Sequence, residues 1–175
     1  MLELACGTGL WTVELAPHAA GITAVDASPD VLDINRARLQ EAGPEIPVRY
    51  VRADLFDWRS EESYDVVFFG SWLSHVPPER FAAFWNLVGA SLRPGGRAFF
   101  VDSLGPEAPA EKRRLGWTPE GHTMVRRLND GREFEIVKVF YDPAELEARL
   151  AGMGWRISVR TTEKHLLYGF GELYT

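Results

Sequence analysis

The sequence has a single cysteine, no excess of basic residues and no long apolar run. Cys6 cannot form an internal disulfide alone, which favours a reducing compartment, so we predict a cytoplasmic protein. The formal net charge of -6 argues against a nucleic-acid partner, because phosphate binding needs a basic surface. The apolar runs fall short of the ~18–20 residues that a membrane-spanning helix needs. We therefore expect neither a nucleic acid nor a membrane as partner, and no signal peptide.

Apolar residues are plentiful and evenly spread. They make up 46% of the 175 residues, and ten phenylalanines, six tryptophans and five tyrosines supply large side chains for a core. Short apolar runs alternate with longer amphipathic runs, which is typical of βαβ units and a parallel sheet. The length and this pattern predict a single α/β domain over residues 1–175.

The chain starts with an apolar run that breaks at two glycines. Residues 1–5 predict a short buried strand, Gly7 and Gly9 predict a turn, and Thr8 is a candidate cap for the helix that follows. Strand, glycine turn and helix in this order expose backbone N–H groups and the positive end of a helix dipole in one crevice. A nucleotide-like cofactor would fit such a crevice, although an ordinary strand–helix turn has the same pattern.

The glycine spacing departs from the dinucleotide-binding fingerprint. That fingerprint requires a third small residue for close packing of helix on strand, and Thr12 occupies the position here. The departure argues against an NAD-dependent oxidoreductase, which stays the weakest alternative.

Later runs predict further elements and one interruption. We predict strands at 21–25, 48–51, 64–69, 97–102, 155–160 and 165–172, with helices at 29–42, 78–92 and 143–150. Ser28 and Asp142, each followed by proline, are typical helix caps. Residues 103–141 break the alternation with a loop and a hairpin about Asn129–Gly131, flanked by strands at 124–128 and 134–140, which we interpret as an insert after the fifth strand.

Five segments in this order resemble the motifs of the class I S-adenosylmethionine-dependent methyltransferases. They are ELACGTG (Glu3–Gly9), AVDAS (Ala24–Ser28), RADLFDW (Arg52–Trp58), DVVFFGSWLSHV (Asp65–Val76) and LRPGG (Leu92–Gly96). The resemblance implies a Rossmann-like, seven-stranded, mostly parallel sheet with an antiparallel last strand, and S-adenosylmethionine as cofactor. The family usually has tens of residues before the first strand. We therefore expect that the gene start is misplaced, that the chain is trimmed at its start, or that a homodimer partner covers the open side.

The resemblance also implies cofactor contacts at the ends of the first four strands. Glu3 stands where the family acid holds the methionyl amino group, and Asp26 stands where a carboxylate binds both ribose hydroxyls. Asp54 matches the acid that binds the adenine amino group, with Asp57 as a rival. The other candidate cofactor residues are Ala5, Gly7, Gly9, Trp11, Ala27, Leu55, Gly70 and Ser71. For Trp11, packing of the first helix on the sheet is an equal alternative.

One histidine is the candidate catalytic residue. Methyl transfer from a sulfonium has a neutral leaving group, so positioning of the nucleophile supplies much of the catalysis. A hydroxyl acceptor also needs a base. His75, just past the fourth strand, suits this role because histidine has a reference pKa of about 6.5 and can accept a proton at neutral pH. The alternative is a structural histidine that bonds the turn at Val76–Pro78.

Missing motifs narrow the acceptor. The runs that mark nucleic-acid base methyltransferases are absent after the fourth strand, and Gly70 replaces the acid that binds metal in the catechol-type enzymes. The resemblance thus implies a metal-independent O-methyltransferase for a small, apolar or aromatic acceptor, with N- or C-methylation as alternatives. We expect residues 103–141 to form a lid. The candidate acceptor contacts are Trp72, Trp117, His122 and Tyr141. A buried anchor is the alternative for Trp72, and a non-catalytic binding protein is the alternative for the whole chain.

Overall fold

The computed structural model describes residues 1–105, 117, 122–127 and 130–174. In chain order the elements are β1 (Leu2–Leu4), α1 (Leu10–Leu15), β2 (Ile22–Asp26), α2 (Pro29–Ala42), β3 (Val48–Arg52), β4 (Tyr64–Gly70), α3 (Phe81–Ala90), β5 (Leu92–Ser103), β6 (Thr123–Arg127), β7 (Glu133–Val137), α4 (Pro143–Ala151), β8 (Trp155–Thr161) and β9 (Leu166–Leu173). Short 3-10 helices span Ala16–His18, Leu73–His75 and Pro78–Arg80. No helix within these ranges is long and apolar enough to cross a membrane.

Seven strands form one sheet in the order β3-β2-β1-β4-β5-β9-β8. The first five pair in parallel, and β9 runs antiparallel to both of its neighbours. This confirms the predicted seven-stranded, mostly parallel sheet with an antiparallel last strand. The strand order reverses at β1 and β4, so the carboxyl ends of these strands border the crevice where such sheets bind ligands.

The insert contains a separate pair of strands. Strands β6 and β7 pair antiparallel, from Thr123 opposite Val137 to Arg127 opposite Glu133, and form a two-stranded sheet of their own. The predicted second strand ran to residue 140, but β7 ends at Val137 because the next backbone groups bond elsewhere: the Val139 N–H donates to the Ser74 carbonyl. Asn129 of the predicted turn lies outside the described residues, as do residues 106–116 and 118–121 of the predicted lid.

Helices cover both faces of the sheet. On one face, α3 and α4 pack onto an aromatic core in which Phe69 stacks on Phe100 with ring centroids 5.4 Å apart and Trp85 meets Trp155 at 5.1 Å. On the other face, α2 packs over β2 in a smaller aliphatic cluster that also includes Cys6. Burial of each large side chain contributes about 1.5–3 kcal/mol to folding. The two faces together hold the ends of β1 to β4 in register.

Two of the three predicted helix caps are confirmed. The Ser28 hydroxyl accepts a hydrogen bond from Val31 N at 3.4 Å, and the Asp142 carboxylate accepts bonds from Ala144 N and Glu145 N. The prediction for Thr8 is wrong. Helix α1 is preceded by Gly9 at φ 85°, without a side-chain cap, and the Thr8 hydroxyl instead accepts a bond from Arg38.

The fifth strand is longer than predicted. Strand β5 begins at Leu92, within the LRPGG segment that we interpreted as the end of the preceding helix. Leu92 pairs with Tyr64, and the register then shifts before Val66 pairs with Arg97. The glycines at positions 95 and 96 thus form an irregularity at the start of a strand, because Gly95 adopts φ 76°.

Candidate active site

The glycine-rich loop after β1 has an unusual backbone. Ala5, Gly7 and Gly9 have φ angles of 52°, 55° and 85°, in the left-handed region that costs most L-residues about 1–2 kcal/mol. A Cβ on Gly9 would lie 2.8 Å from the side chain of Asn35. Gly9 is therefore required for its backbone angle and for space. Ala5 carries the strain without that freedom, which is common where a backbone is constrained at a functional site.

Asp26 links the end of β2 to this loop. Its Oδ2 accepts a hydrogen bond from Gly7 N at 3.0 Å, and its Oδ1 accepts one from Ser28 N at 3.0 Å, across Ala27. A carboxylate oxygen can accept two hydrogen bonds. Both oxygens of Asp26 therefore keep capacity for the hydroxyl groups of a ligand.

Glu3 points into the protein behind the loop. It is 1% exposed, and its Oε2 accepts a hydrogen bond from the Thr12 hydroxyl at 2.7 Å. Burial raises the pKa of Glu3 to about 7, and the bond from Thr12 opposes this shift. Asn35 in turn donates to Thr12 and to the Gly7 carbonyl. Glu3 is thus connected to the glycine-rich loop through buried polar side chains.

The ends of β3 and β4 supply the next candidate residues. Asp54 Oδ1 accepts from Phe56 N at 2.9 Å, and Leu55 lines a cavity of about 140 Å³ between this turn and α3. Asp57 follows in the same turn, with its N–H donating to the Asp54 carbonyl. A second surface cavity, of about 330 Å³, lies between α2 and β3, and none of the predicted site residues lines it.

Trp11 lies directly over Gly70 at the junction of β1 and β4. A Cβ on Gly70 would lie 2.4 Å from Trp11 Nε1, and the Trp11 ring is 5.5 Å from that of Phe68. The next residue, Ser71, has φ 54° and donates its N–H to the Val101 carbonyl. Gly70 therefore allows the indole to cover the end of β4, and both interpretations of Trp11 stay open.

His75 ends the short 3-10 helix after β4. Its Nδ1 lies 2.8 Å from the Val137 carbonyl oxygen of the insert, and this nitrogen donates to that oxygen. Burial lowers the pKa of His75, the nearby charges of Lys138 and Arg126 lower it further, and the Val137 bond and Asp102 oppose the shift. With the proton on Nδ1, the lone pair of Nε2 is available to accept a proton.

Sequence reasoning missed three residues beside His75. Asp102 is 1% exposed, and its Oδ2 accepts from Ser74 N at 2.9 Å. Lys138 Nζ donates to the Ser74 hydroxyl at 2.7 Å and lies 3.8 Å from Asp102 Oδ1, and burial lowers the pKa of Lys138. Two features of the sequence could have indicated them: Asp102 is an acid at the end of a buried strand, and Lys138 is a single lysine in the apolar run 136–141.

The structure separates the four predicted acceptor contacts into two groups. Trp117 Nε1 donates to the Lys138 carbonyl at 2.8 Å, and Lys138 N donates to the His122 carbonyl at 2.7 Å, so both residues help to dock the insert. Trp72 and Tyr141 pack instead against aromatic side chains of α3: the Trp72 ring is 6.5 Å from that of Phe84, and the Tyr141 ring is 5.8 Å from that of Phe81.

Trp72 and Tyr141 share a further property. Trp72 Nε1 and the Tyr141 hydroxyl are buried without a hydrogen-bond partner in the part of the chain that the structure describes. Burial raises the pKa of Tyr141 to about 12. Buried polar atoms usually have partners. Trp72 Nε1 can therefore donate a hydrogen bond to a ligand or a water, and the Tyr141 hydroxyl can donate or accept one.

The methyltransferase domain family matches residues 1–96, more than half of the chain. The chain belongs to the class I S-adenosylmethionine-dependent methyltransferases. Two structures of DhpI, one a complex with SAH and the other a complex with SAM and HEP, are 39% and 40% identical to this methyltransferase. The two alignments cover 99% and 97% of this chain and 76% of each DhpI chain, with TM-scores of 0.81 and 0.82. A methyltransferase of Clostridium acetobutylicum, at 16% identity and a TM-score of 0.74, shares the fold.

Curated relatives are longer than this chain. A ubiquinone biosynthesis O-methyltransferase of Idiomarina loihiensis is 30% identical over 134 residues, which are 73% of this chain and 54% of that protein. Nodulation protein S of Rhizobium tropici is 28% identical over 131 residues, 74% of this chain and 52% of that protein. The methyltransferase thus spans about half the length of these relatives.

The described residues fit the family's cofactor, S-adenosylmethionine. The loop is open at Gly7, where an added Cβ would meet nothing nearer than the Ala5 carbonyl at 4.0 Å. Asp26 keeps two oxygens with acceptor capacity beside this opening, where they can bind ribose hydroxyls. The site thus combines a backbone that a ligand can approach closely with a carboxylate suited to a ribose.

Proposed function

We propose that this methyltransferase transfers a methyl group to an oxygen of a small acceptor, with His75 as the base. S-adenosylmethionine supplies an electrophilic methyl group on a sulfonium. The observation that carries the proposal is the bond from His75 Nδ1 to the Val137 carbonyl, which leaves Nε2 as the acceptor of a proton. The lowered pKa keeps this histidine neutral, and so competent as a base, at physiological pH.

We assign the cofactor contacts to the ends of β1 to β4. Asp26 would hold the ribose, Asp54 and Leu55 the adenine, and Glu3 the amino group of the methionyl part. The loop from Ala5 to Gly9 and the pair Trp11 and Gly70 would border the methionyl chain. This assignment agrees with the positions of these residues around the strand-order reversal of the sheet.

The candidate acceptor contacts suggest the chemistry of the acceptor. The aromatic side chains of Trp72, Trp117 and Tyr141 suit an apolar or aromatic body, as the sequence predicted. The names of the relatives agree with oxygen as the methylated atom. HEP, named in a DhpI complex, is the first compound to test.

The insert would act as a lid in a chain that works as a single domain. Its described end is bound to the segment that carries His75, since Val139 N donates to the Ser74 carbonyl and His75 bonds Val137.

We further propose that no metal ion takes part. A homodimer that covers the rim of the site, where the Leu10 side chain is 67% exposed, also stays a prediction. Sedimentation velocity should show a dimer, and a monomer at all concentrations would contradict it.

Two measurements test the proposed function. Calorimetry should first show binding of S-adenosylmethionine and S-adenosylhomocysteine; absence of both at millimolar concentration would exclude the enzyme. Incubation with S-adenosylmethionine and HEP, or with a panel of hydroxy acids and phenols, should then produce S-adenosylhomocysteine and a methylated acceptor by mass spectrometry. Cofactor binding without any methylated product across the panel would favour a non-catalytic binding protein.

A further inference from the structure

A chain of four polar side chains runs behind the glycine-rich loop. The Tyr50 hydroxyl donates to Asn35 Oδ1 at 3.0 Å, Asn35 Nδ2 donates to Thr12 Oγ1 at 2.8 Å, and the Thr12 hydroxyl donates to Glu3 Oε2 at 2.7 Å. Thr12 and Asn35 are 0% exposed and Glu3 is 1% exposed. Burial of a carboxylate is costly unless hydrogen bonds compensate it, so these bonds matter to the charge of Glu3.

The direction of the chain follows from its donors. Asn35 Nδ2 donates its two hydrogens to Thr12 Oγ1 and to the Gly7 carbonyl, which lies at 3.2 Å. The single hydroxyl hydrogen of Thr12 is therefore directed to Glu3, which has to accept it. An acceptor role favours the ionised carboxylate over the protonated acid. The same amide of Asn35 holds the glycine-rich loop from behind.

We propose that Thr12 and Asn35 are positioning residues for the cofactor, because they keep Glu3 as a hydrogen-bond-accepting carboxylate while they fix the loop. The proposal rests on the proposed contact of Glu3 with the amino group of the methionyl part. A cationic amino group binds a carboxylate better than a neutral acid. The relay of Tyr50, Asn35, Thr12 and Glu3 would thereby set the pH range in which the cofactor binds tightly.

The titratable groups around the relay are few and come from several elements. The Cys6 thiol interacts with Glu3 and with Asp26 of β2, and burial raises the pKa of this thiol, so it stays neutral. At the far end, burial raises the pKa of Tyr50 of β3, while the Arg36 guanidinium of α2 lies 4.6 Å from its ring centroid. Glu3 is therefore the member of the relay that titrates near neutral pH, at about 7.

The test is to measure cofactor affinity as a function of pH in matched variants. Calorimetry from about pH 5 to 9 would follow S-adenosylhomocysteine, which has the amino group, and 5′-methylthioadenosine, which lacks the amino-acid chain. Thr12→Val removes the hydroxyl and keeps the shape, while Thr12→Ser keeps the hydroxyl. Carboxyl NMR of the ligand-free protein would measure the pKa of Glu3 directly.

We expect Thr12→Val to raise the pKa of Glu3. A rise of about one unit would weaken S-adenosylhomocysteine roughly fivefold at pH 7, and the loss would shrink towards pH 9. Thr12→Val should bind methylthioadenosine with the same affinity as the unmodified protein does. Thr12→Ser should have the same affinity for both ligands as the unmodified protein at every pH. An unchanged pKa of Glu3, or an equal loss for both ligands at every pH, would overturn the proposal.

A second variant covers the case in which Thr12→Val does not fold. Glu3→Gln should make S-adenosylhomocysteine affinity independent of pH between about 5 and 8, because Glu3 is the titrating group. A pH dependence that persists in Glu3→Gln would contradict the relay. All these measurements use ligand binding and NMR, so they stand whether or not an acceptor is methylated.

Discussion

Both oxygens of Asp26 are already engaged within the protein, by the backbone N–H groups of Gly7 and Ser28. The carboxylate therefore orients the glycine-rich loop as well as facing the opening where we place the ribose. A substitution at this position would remove a ligand contact and a loop contact together.

We expect Asp26→Ala to weaken S-adenosylhomocysteine binding roughly 10- to 100-fold, since hydrogen bonds to a charged group contribute about 1.5–3 kcal/mol. Calorimetry checks the affinity, and circular dichroism checks that the fold is retained. Asp33→Ala is the matched control, because the Asp33 side chain is 72% exposed and lies on the outer surface of α2. Equal affinity in Asp26→Ala would contradict the ribose assignment.

His75 is the second prediction at the scale of single residues. His75→Ala should lower kcat roughly 10²- to 10⁴-fold, the usual contribution of a general base, with cofactor affinity unchanged. Because the pKa of His75 is lowered in the ligand-free protein, the acid limb of kcat/KM in the unmodified enzyme should have its midpoint below the reference value of 6.5. His18→Ala, at an exposed position, is the control. An unchanged kcat in His75→Ala would exclude His75 as the base.

Among the secondary-structure elements, the insert is attached to the segment that carries His75. Its β7 end is bound to the 3-10 helix of His75 through Val137 and Val139, and the buried pair of Lys138 and Asp102 lies beneath these bonds. The proposed base and the proposed lid are thus fixed to the same segment. A substitution that displaces the insert should therefore also displace His75.

Lys138→Met should lower the free energy of unfolding by about 3–5 kcal/mol, because it leaves the Asp102 carboxylate buried without its cation. Denaturant unfolding measures this change, and hydrogen exchange should show faster exchange in β7. Adding Asp102→Asn to Lys138→Met should restore part of the loss, since the unpaired charge is then gone. Lys164→Met, at an exposed position, is the control. A stability equal to that of this control would show that the pair does not anchor the insert.

For the whole molecule, the buried Glu3 couples folding to pH. The pKa of Glu3 is about 7 in the folded chain, against an ordinary value of 4.5, so the folded state binds more protons than the unfolded state between these values. The free energy of unfolding should therefore fall as pH rises from 4.5 to 7, by about 3 kcal/mol from this group.

Chemical denaturation at a series of pH values tests this coupling. Glu3→Gln should flatten the slope in that window, because an amide of similar shape does not titrate. Glu14→Gln, at an exposed position on α1, should leave the slope as it is. A slope unchanged by Glu3→Gln would mean that Glu3 is not the group that gains a proton on folding.

The sequence alone determined much of the framework. Local patterns were sufficient for the strands and for the caps at Ser28 and Asp142, because apolar periodicity and capping depend on residues close in the chain. Five motifs in order identified the sheet and the cofactor. Four of them lie at the carboxyl ends of β1 to β4, and parallel strands bring those ends to one edge, whereas LRPGG lies at the start of β5.

The tertiary structure alone decided which distant side chains meet. Asn35 lies 23 residues from Thr12, and Lys138 lies 64 residues from Ser74, so no local period connects them. Thr8 was assigned as a cap from its residue type, but the left-handed backbone of Gly9 placed the helix start one residue later. Local sequence carries the preferences of an element, whereas contacts between distant residues arise only when the sheet is assembled.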